Sequence, residues 1–478
     1  MTALTSPAFK EGARRAIRDP HLKQALAQLE GNFGGARAAA IARLPEYQAL
    51  CRRSREIKDH VLDNLDFYLE RFEETCLASG GQVHWCRSAA EAREKVLAIC
   101  RRAGARTVTK GKTMIAEEIG LNEYLEEHDI EPIETDLGEY IIKLWGAAPS
   151  HIIAPAVHKT QDQVSDLFLE HHRKYGRSER LTEARELLNE ARQVLRQKFL
   201  DADVGITGAN FLIAESGTSV IVTNEGNGDL TQILPRVHIV LASLEKVVPT
   251  LEDASTILSV LKRSATGQEM AVYTTFSTGP KRAQDLDGPD EFHVVLLDNG
   301  RSSLLGSEFQ DILRCIRCGA CMNHCPVYRT VGGHAYGWTY VGPMGAVLTP
   351  ALVGIEAAQH LPGASSFCGR CESVCPMEIP LPKMMRHWRE RAFSTRVTPR
   401  RERLAVGLWA WFAMRPWLYH LMTGLVVRGL SARGRARGRF QKLPFAAGWT
   451  YGRDLPAPEG RTFHQLWARQ RGAGGAAR

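Results

Sequence analysis

The features that this chain lacks exclude several classes of protein. Its N-terminus, MTALTSPAFKEGARRAIRD, has no apolar segment like that of a secretory signal, which predicts a cytoplasmic chain. Eleven cysteines in 478 residues are too few for a disulfide scaffold, and in a reducing compartment clustered cysteines indicate metal ligands or redox groups. No GxGxxG or Walker motif is present, so the sequence indicates neither a dinucleotide nor a nucleoside triphosphate site.

The composition is that of an ordinary globular protein, with 44% hydrophobic and 24% charged residues. These values exclude a disordered chain, a collagen and a bare coiled coil. A chain of 478 residues is long enough for two or three domains, each of which could bury a sizeable core.

Basic residues are concentrated at the C-terminus. Residues 391–478 contain 17 Lys and Arg against three acidic residues, whereas the whole chain has a formal net charge of only +8. The first 390 residues are therefore slightly acidic, and we expect no nucleic-acid partner because such proteins usually have a basic body. A basic, tryptophan-containing segment instead indicates a surface for a protein partner or a membrane.

Short apolar runs alternate with helical patterns up to about residue 305. The predicted strands are Gln82–Cys86, Thr107–Thr109, Pro132–Thr135, His151–Pro155, Asn210–Ala214, Val220–Thr223, Val237–Leu241, Val272–Phe276 and Phe292–Asp298. The predicted helices are Ile57–Ala78, Ala89–Arg102, Gln161–Glu170, Leu181–Leu200, Leu251–Arg263 and Ser302–Arg314. This alternation predicts an α/β domain with a largely parallel sheet at residues 56–305, preceded by an Ala- and Arg-rich helical extension at residues 1–55.

Four cysteines lie close together in the segment CIRCGACMNHCP. They form the motif C-x2-C-x2-C-x3-C-P, which consists of Cys315, Cys318, Cys321 and Cys325 followed by Pro326. Three thiolates at this spacing point inward from one loop, and the fourth is carried away by the proline turn to ligate the other cluster of a two-cluster protein. Zinc ribbons use two separated CxxC pairs, so this spacing favours iron–sulfur ligation over zinc.

A second motif, SSFCGRCESVCP, repeats the end of the first. Cys368, Cys371 and Cys375 match the last three cysteines, and Ser365 stands where the first one would be. By the same cross-ligation, the predicted ligands of the first cluster are Cys315, Cys318, Cys321 and Cys375. The predicted ligands of the second cluster are Cys325, Cys368 and Cys371.

The second predicted cluster is one cysteine short. Three thiolates permit either a [3Fe-4S] cluster or a [4Fe-4S] cluster with a fourth ligand that is not cysteine, and we favour two [4Fe-4S] clusters. Ser365 is the positional candidate for the fourth ligand. The weaker candidates are His324, His334 and His360.

The 42 residues between Cys325 and Cys368 contain VGGHAYGWTYVGPMGAVLTP and then a helix-like stretch, Ala351–His360. With CIRCGACMNHCPVY and CESVCP on either side, residues 306–390 resemble the helical ferredoxin domain of the iron–sulfur subunits of succinate dehydrogenase and fumarate reductase. This resemblance implies an α-helical domain with two clusters. The second motif departs from those subunits, which usually have a longer gap where this chain has C-x2-C.

Longer blocks extend the resemblance to almost the whole chain. KGKTMIAEEIGLNEYLEEHDIEPIETDLGEYIIKL, PSHIIAPAVHKT, GANFLIAESGTSVIVTNEGN, GGHAYG, GPMGAVLTP, RDLPAPEGRTFHQLW and the two cysteine motifs resemble the iron–sulfur protein B family of the bacterial lactate-utilisation system. The resemblance implies that residues 56–305 are a lactate-utilisation domain with the fold of sugar-phosphate isomerases and CoA transferases. It also implies two partner subunits, a cysteine-rich iron–sulfur protein and a stand-alone lactate-utilisation domain, which together with this chain oxidise L-lactate to pyruvate.

Two functions of different class are compatible with the sequence. The chain is either an electron-transfer subunit, whose electron acceptor the sequence does not indicate, or its α/β domain is itself catalytic on an acyl or sugar-phosphate substrate and the clusters are regulatory. Candidate ligand-binding residues in the α/β domain follow predicted strands, where open α/β sheets bind ligands. They are Lys110, Lys112, His158, Lys159, Glu215, Asn224 and Glu225.

The C-terminal segment, residues 391–478, is predicted to be a helical basic tail. Leu404–Met414 and Trp417–Val427 are apolar runs separated by Arg415 and Pro416, and neither reaches the roughly 20 residues needed to span a bilayer. Gly434 and Gly438, among arginines, predict a flexible connector. We favour docking of the tail to a partner subunit over peripheral contact with the inner face of the membrane.

Overall fold

The structure is a computed structural model that describes residues 4–443, 446, 450 and 453–474. Part of the predicted tail (residues 444, 445, 447–449, 451, 452 and 475–478) lies outside the described residues. The chain forms two compact units, Met1–Val397 and Thr398–Arg478, and each is described by itself.

Twelve strands occur in the described chain. They are β1 (Gln82–Cys86), β2 (Thr107–Lys110), β3 (Glu131–Glu134), β4 (Val204–Gly208), β5 (Phe211–Ile213), β6 (Thr218–Thr223), β7 (Val237–Ser243), β8 (Val247–Val248), β9 (Tyr273–Ser277), β10 (Glu291–Leu297), β11 (Arg439–Phe440) and β12 (Leu455–Pro456). All predicted strands except one are present, with ends that differ by two residues at most.

Helices connect these strands and form most of the remaining structure. Before residue 305 they are α1 (Phe9–Arg18), α2 (Pro20–Leu29), α3 (Ala36–Ala42), α4 (Tyr47–Asp63), α5 (Leu65–Ala78), α6 (Ala89–Arg102), α7 (Met114–Ile119), α8 (Leu121–Glu126), α9 (Leu137–Trp145), α10 (Gln161–His171), α11 (Ala184–Leu200), α12 (Asn227–Ile233) and α13 (Leu251–Ala265). After it they are α14 (Ala320–Asn323), α15 (Pro326–Val331), α16 (Gly342–Val353), α17 (Ile355–Ala358), α18 (Arg370–Ser373), α19 (Leu381–Ser394), α20 (Arg400–Ala413), α21 (Pro416–Gly434) and α22 (Phe463–Gly474).

Short helical turns supplement these elements. The 3₁₀ helices are Ser6–Ala8, Arg173–Tyr175, Leu244–Lys246, Ser302–Leu304, Gln310–Arg314, His334–Tyr336 and Leu361–Gly363, and Glu30–Gly35 is a π-helix.

A six-stranded parallel sheet is the centre of the α/β region. Its strand order is β1-β10-β7-β4-β2-β3, and every pairing in it is parallel. All seven residues of β7 are buried, as expected for a strand covered by helices on both faces. A smaller mixed sheet has the order β8-β5-β6-β9. The predicted α/β region with a largely parallel sheet is therefore confirmed.

The predicted strand His151–Pro155 is wrong, because this segment forms turns. The Nδ1 atom of His151 accepts hydrogen bonds from the amides of Ile153 (3.0 Å) and Ala154 (3.1 Å). Such side-chain bonds occupy backbone donors that a strand would need for its ladder. His158 and Lys159 therefore follow a turn rather than a strand.

Two of the predicted helices also differ from the structure. Ile57–Ala78 is not one helix but parts of α4 and α5, which are separated at Asn64, where φ is −133° and the side chain donates to the carbonyl of His60 (2.8 Å). Ser302–Arg314 is not an α-helix, because it contains only two 3₁₀ turns. Gly306, at φ +70°, lies between those turns in a conformation that interrupts an α-helix.

The helix-like stretch Ala351–His360 is interrupted at Gly354, where φ is +87°, so that α16 ends before it and α17 begins after it. Strand β4 was not predicted from the sequence, because its segment VGITG contains two glycines that weaken a strand pattern. Gly205 in β4 lies so close to α12 that an added Cβ would be 1.8 Å from the Thr231 carbonyl oxygen. Close helix–strand packing therefore explains this glycine.

The N-terminal helices pack onto the cysteine-rich region. The amide of Thr5 donates to the carbonyl of Gly337 (2.9 Å), and the Ser6 hydroxyl donates to the carbonyl of Ala357 (2.6 Å). Leu26 and Leu29 are 1% exposed and share one hydrophobic core with the cysteine-rich segment. The first unit thus joins the N-terminus, the α/β region and the cysteine-rich region around this core.

In the second unit, α20 and α21 carry many exposed apolar side chains. Among the most exposed are Leu404 (74%), Leu408 (60%), Trp409 (65%) and Trp417 (69%). Within the described residues, no helix has both the length and the apolar character needed to cross a bilayer.

Candidate metal centre

The two cysteine motifs adopt the same local backbone geometry. Arg317 and Phe367, which precede the second cysteine of one loop and the first of the other, both have positive φ (59° and 52°). Gly319 (φ 72°) and Gly369 (φ 77°) follow those cysteines and begin α14 and α18. Two non-glycine residues in this strained conformation mark a loop shape that both motifs require.

Hydrogen bonds to sulfur repeat in the same way. The amide of Ala320 donates to the thiol sulfur of Cys318, and the amide of Arg370 donates to that of Cys368, two residues earlier in each loop. Such amides stabilise thiolate charge and tune the potential of a bound cluster.

The first predicted ligand set surrounds one small cavity. The thiols that line this cavity, here called the thiol cavity, belong to Cys315, Cys318, Cys321 and Cys375. Its other lining residues are apolar or glycine, including Ile152, Met344 and Ile379. Cys375, from the second motif, is thus placed with three cysteines of the first, as cross-ligation requires.

The second predicted set, Cys325, Cys368 and Cys371, is also brought together. Cys325 and Cys368 lie close enough to Cys371 for their charges to raise its pKa. Cys368 is the exposed member of this set. The amide of Tyr328 donates to Cys325 Sγ at 3.5 Å. In the described parts of the chain, no three His, Cys, Asp or Glu side chains are close enough to hold a single metal ion.

Burial controls the protonation of these thiols. It raises the pKa of Cys318 and of Cys371 to about 12, so both thiols would stay protonated near neutral pH without a cation. Cys368 differs from these two, because hydrogen bonds from the Arg370 amide and the Ser366 side chain lower its pKa. The site fits an iron–sulfur cluster, because iron supplies the positive charge that holds buried sulfurs as thiolates.

The candidates for a fourth ligand of the second cluster are placed differently. The Ser365 hydroxyl accepts a hydrogen bond from the amide of Phe367 (3.0 Å), whereas the neighbouring Ser366 side chain contacts the Cys368 thiol. The Nδ1 atom of His324 donates a hydrogen bond to the carbonyl of Ala320 (2.9 Å), and His334 Nε2 donates one to the carbonyl of Ala148 (2.7 Å). His360 directly precedes the 3₁₀ helix Leu361–Gly363.

Four of the seven candidate residues in the α/β region lie apart. Lys110 is 1% exposed and pairs with Glu117 and Glu134, at 2.9 Å from each. Glu215 is exposed and accepts from the amide of Leu251 (2.6 Å), and Lys159 lies 3.4 Å from the Trp145 ring centre. His158 packs against the ring of His334, with centroids 4.4 Å apart.

The other three, Lys112, Asn224 and Glu225, line one larger cavity at the carboxyl ends of β2, β4 and β7. We call it the strand-end cavity. Its wall also includes Lys246, Lys262 and Arg317, which the sequence reading did not single out. It shares Cys318 and Ile152 with the thiol cavity, so the two cavities are neighbours.

A buried ionic network links the α/β region to the first cysteine loop. Arg301 donates two hydrogen bonds to Glu118 (2.9 and 2.5 Å) and lies 3.3 Å from Glu245. Arg317, inside the cysteine loop, donates to the other oxygen of Glu245 (3.2 Å), and the Tyr340 hydroxyl donates to Glu118 (2.5 Å). This network therefore positions the loop that carries Cys315 and Cys318.

The arginines set the charge state of this network. Burial alone would raise the pKa of Glu245, but Arg301 and Arg317 outweigh it and hold that pKa at about 2. The sequence did not predict that Glu118, Glu245 and Arg301 act together, because they lie far apart in the chain and match no motif. An isolated charge within an apolar stretch was the only available signal.

Comparisons with known proteins cover most of the chain. The LUD domain family matches residues 69–297, the 4Fe-4S dicluster domain matches 311–379, and the C-terminal domain of lactate utilisation protein B matches 391–472. Lactate utilization protein B of Bacillus subtilis (strain 168) is 40% identical over 464 residues, and that of Oceanobacillus iheyensis is 40% identical over 461, each covering 96% of both chains.

Two further matches were found. The "uncharacterized electron transport protein YkgF" of Escherichia coli (strain K12) is 40% identical over 95% of both chains. A crystal structure of a DUF162 family protein from Deinococcus radiodurans covers 49% of this chain and 98% of its own at 14% identity. Its TM-score of 0.27 is too low to support a conclusion about the fold.

Proposed function

The chain belongs to the lactate utilization protein B family, and from this we propose that it is the iron–sulfur electron-transfer subunit of a complex that oxidises L-lactate to pyruvate. The name of the relatives supports a role in lactate utilisation, and the match to the 4Fe-4S dicluster domain supports the presence of iron–sulfur centres. Two bound [4Fe-4S] clusters would supply one-electron transfer.

The observation that carries this proposal is the grouping of the seven cysteines. One set of four faces the thiol cavity, and the second set of three includes the exposed Cys368. A set that lines an internal cavity, beside a set with one exposed cysteine, suits a carrier that takes electrons inside the protein and exchanges them with a partner. Cys325 and Cys375 each serve the set of the other motif in this proposal, which ties the two loops together.

Two partner subunits are part of the proposal, a cysteine-rich iron–sulfur protein and a stand-alone lactate-utilisation domain. The second unit of the chain supports a docking role, because Trp409, Trp417 and Leu425 are more than half exposed and lie among many arginines. Exposed aromatic and arginine side chains are typical of protein interfaces. We therefore propose that this unit docks to a partner subunit.

Analysis of anaerobically purified protein tests the cofactor proposal. We expect about eight iron and eight acid-labile sulfide per chain, or about seven iron if the second cluster is a three-iron cluster. We also expect lactate to reduce the clusters only when both partner subunits are present. One zinc per chain without sulfide, or lactate oxidation by the partners at full rate without this chain, would refute the proposal.

Deletion of residues 398–478, the second compact unit, tests the docking role. We expect cluster absorbance to be retained and co-purification with the partner subunits to be lost. A deletion that leaves the complex intact but abolishes binding to anionic vesicles would instead show a membrane-binding role and would overturn the docking proposal.

A further inference from the structure

The strand-end cavity has the features of a binding site that no family match assigns. It has a volume of about 210 Å³ and lies between the carboxyl ends of three strands and the first cysteine loop. In open α/β sheets, ligands bind at this edge.

The charges around this cavity favour an anion. Four cationic side chains line it, namely those of Lys112, Lys246, Lys262 and Arg317, against two acidic ones, Asp136 and Glu225. Asp136 is already engaged, because its Oδ1 accepts from the amide of Glu139 (3.1 Å) and caps α9. Glu225 is exposed at the rim. Arg317 pairs with Glu245 (3.2 Å), so three lysines against Asp136 leave the inner wall with a net positive charge.

Polar atoms in the wall are left without partners. The hydroxyl of Thr113 and the Oδ1 atom of Asn227 are buried and make no hydrogen bond in the described structure, although their residues are only 3% and 6% exposed. Buried polar groups are normally paired, because an unpaired one has lost its hydrogen bonds to water without replacing them. A ligand carboxylate would accept from the Thr113 hydroxyl, and a ligand hydroxyl would donate to Asn227 Oδ1.

The position of the cavity points to its use. Cys318 and Ile152 belong to the walls of both the strand-end cavity and the thiol cavity, so one side chain separates a bound ligand from the first predicted cluster. The lining is mixed rather than uniformly polar, since Ile153, Ile221 and Leu261 face the same space. A small organic anion with an apolar substituent fits this mixture better than inorganic phosphate.

We propose that the strand-end cavity binds the carboxylate of a small 2-hydroxy or 2-oxo acid beside the first cysteine loop, with Lys262 and Lys112 as the principal cations. This inference rests on the proposed function for its substrate class. It concerns binding only, and it places the substrate of the complex on this chain rather than on a partner.

Binding measurements on the full-length, cluster-loaded chain under anaerobic conditions test the proposal. The probes are L-lactate, pyruvate and inorganic phosphate, titrated by calorimetry. We expect both organic acids to bind, with phosphate at least tenfold weaker, and Lys262→Met to weaken lactate binding at least tenfold with unchanged iron content. Lys281→Met, which removes a cation from an exposed ion pair with Asp290 outside the cavity, is the matched control and should bind lactate normally.

A second variant, Thr113→Val, removes the unpaired hydroxyl without changing charge and should also weaken lactate binding. Lactate should in addition alter the EPR signal of the first cluster in the wild type but not in Lys262→Met. Wild-type affinity for lactate in Lys262→Met and Thr113→Val, or binding of phosphate alone, would overturn the assignment.

The same experiments separate this inference from the proposed function. If the reconstituted complex oxidises lactate at the wild-type rate when it contains the Lys262→Met chain, the binding site lies elsewhere while the electron-transfer role stands. If the chain binds lactate through Lys262 but the complex oxidises none, the site assignment stands and the proposed function is refuted.

Discussion

Replacement of Arg301 by methionine should destabilise the first unit strongly. The guanidinium neutralises two carboxylates, Glu118 and Glu245, and the three side chains are only 1%, 0% and 2% exposed. Methionine has a similar length but no charge, so the variant would keep most of the packing and lose both ion pairs. Glu245 would keep its ion pair with Arg317, whereas Glu118 would be left without a cation in a site from which water is excluded.

The burial of the Arg301 ion pairs determines how much stability the variant loses. Breaking a buried ion pair by removing one partner costs about 3–5 kcal/mol, because the remaining charge is left uncompensated. The hydrogen bonds from Asn299 and Tyr340 to Glu118 remain in the variant and place the cost toward the lower end. An unfolding entropy of about 2.1 cal/mol/K per residue gives roughly 1 °C per kcal/mol for a unit of this size, so the melting temperature should fall by about 4 °C.

The effect should also depend on pH in a defined direction. With Arg301 removed, burial is less opposed and raises the pKa of Glu118 above its value in the unfolded chain. A carboxyl with a raised folded-state pKa destabilises the protein at high pH and is relieved as the pH falls and it binds a proton. The difference in melting temperature between variant and wild type should therefore be smaller at pH 6 than at pH 8.

Thermal unfolding of the anaerobic, cluster-loaded protein, followed by circular dichroism and cluster absorbance, measures both quantities. Arg43→Met is the control, because the pair of Arg43 with Glu269 is more than half exposed and its loss should leave the melting temperature unchanged. A variant of Arg301 that melts within about 2 °C of the wild type at pH 8 would refute this reasoning. A difference that grows on acidification would refute it as well.

Three other predictions concern the cysteine-rich region. Cys375→Ser should alter the EPR signal of the first cluster and Cys325→Ser that of the second, because each serves the set of the other motif; the reverse assignment of signals would disprove cross-ligation. Ser365→Cys should lower the potential of the second cluster in a redox titration, since an added thiolate disfavours a further electron, and an unchanged potential would exclude this position as the fourth ligand. Gly333→Ala should lower the free energy of unfolding by about 1–3 kcal/mol in a denaturant titration, because a Cβ there would be 1.8 Å from the carbonyl oxygen of Ser150. Gly363→Ala is the control and should have little effect, because a Cβ there would meet open space.

The sequence was informative wherever the determining interactions are local. Cluster ligation depends on a few cysteines at fixed spacing, so the motifs around Cys315 and Cys368 could be identified without a structure, and the 4Fe-4S dicluster match covers both. Likewise, a strand buried on both faces must be apolar along its length, which made β7 and β10 recognisable. The ligand sets themselves stay a prediction.

Local patterns failed where a side chain or a distant neighbour decides the backbone. The turn at His151 is stabilised by its own imidazole, and that ring is held by Asn323, 172 residues later in the chain. An apolar run such as HIIAP therefore looks like a strand until its tertiary partner is known. The break at Asn64 and the turn at Gly306 have the same kind of cause, since single residues interrupt an otherwise helical pattern.

Only the tertiary structure decided which charged residues act together. Glu118, Glu245, Arg301 and Arg317 come from four separate segments, and Lys112 and Lys262 meet across the strand-end cavity although 150 positions separate them in the chain. No spacing rule connects such residues, because the packing of helices and loops around the parallel sheet brings them together. The sequence alone thus determined that the chain has an iron–sulfur domain and an α/β region with a parallel sheet, whereas the packing of that region against the cysteine loop decided which charges surround the loop.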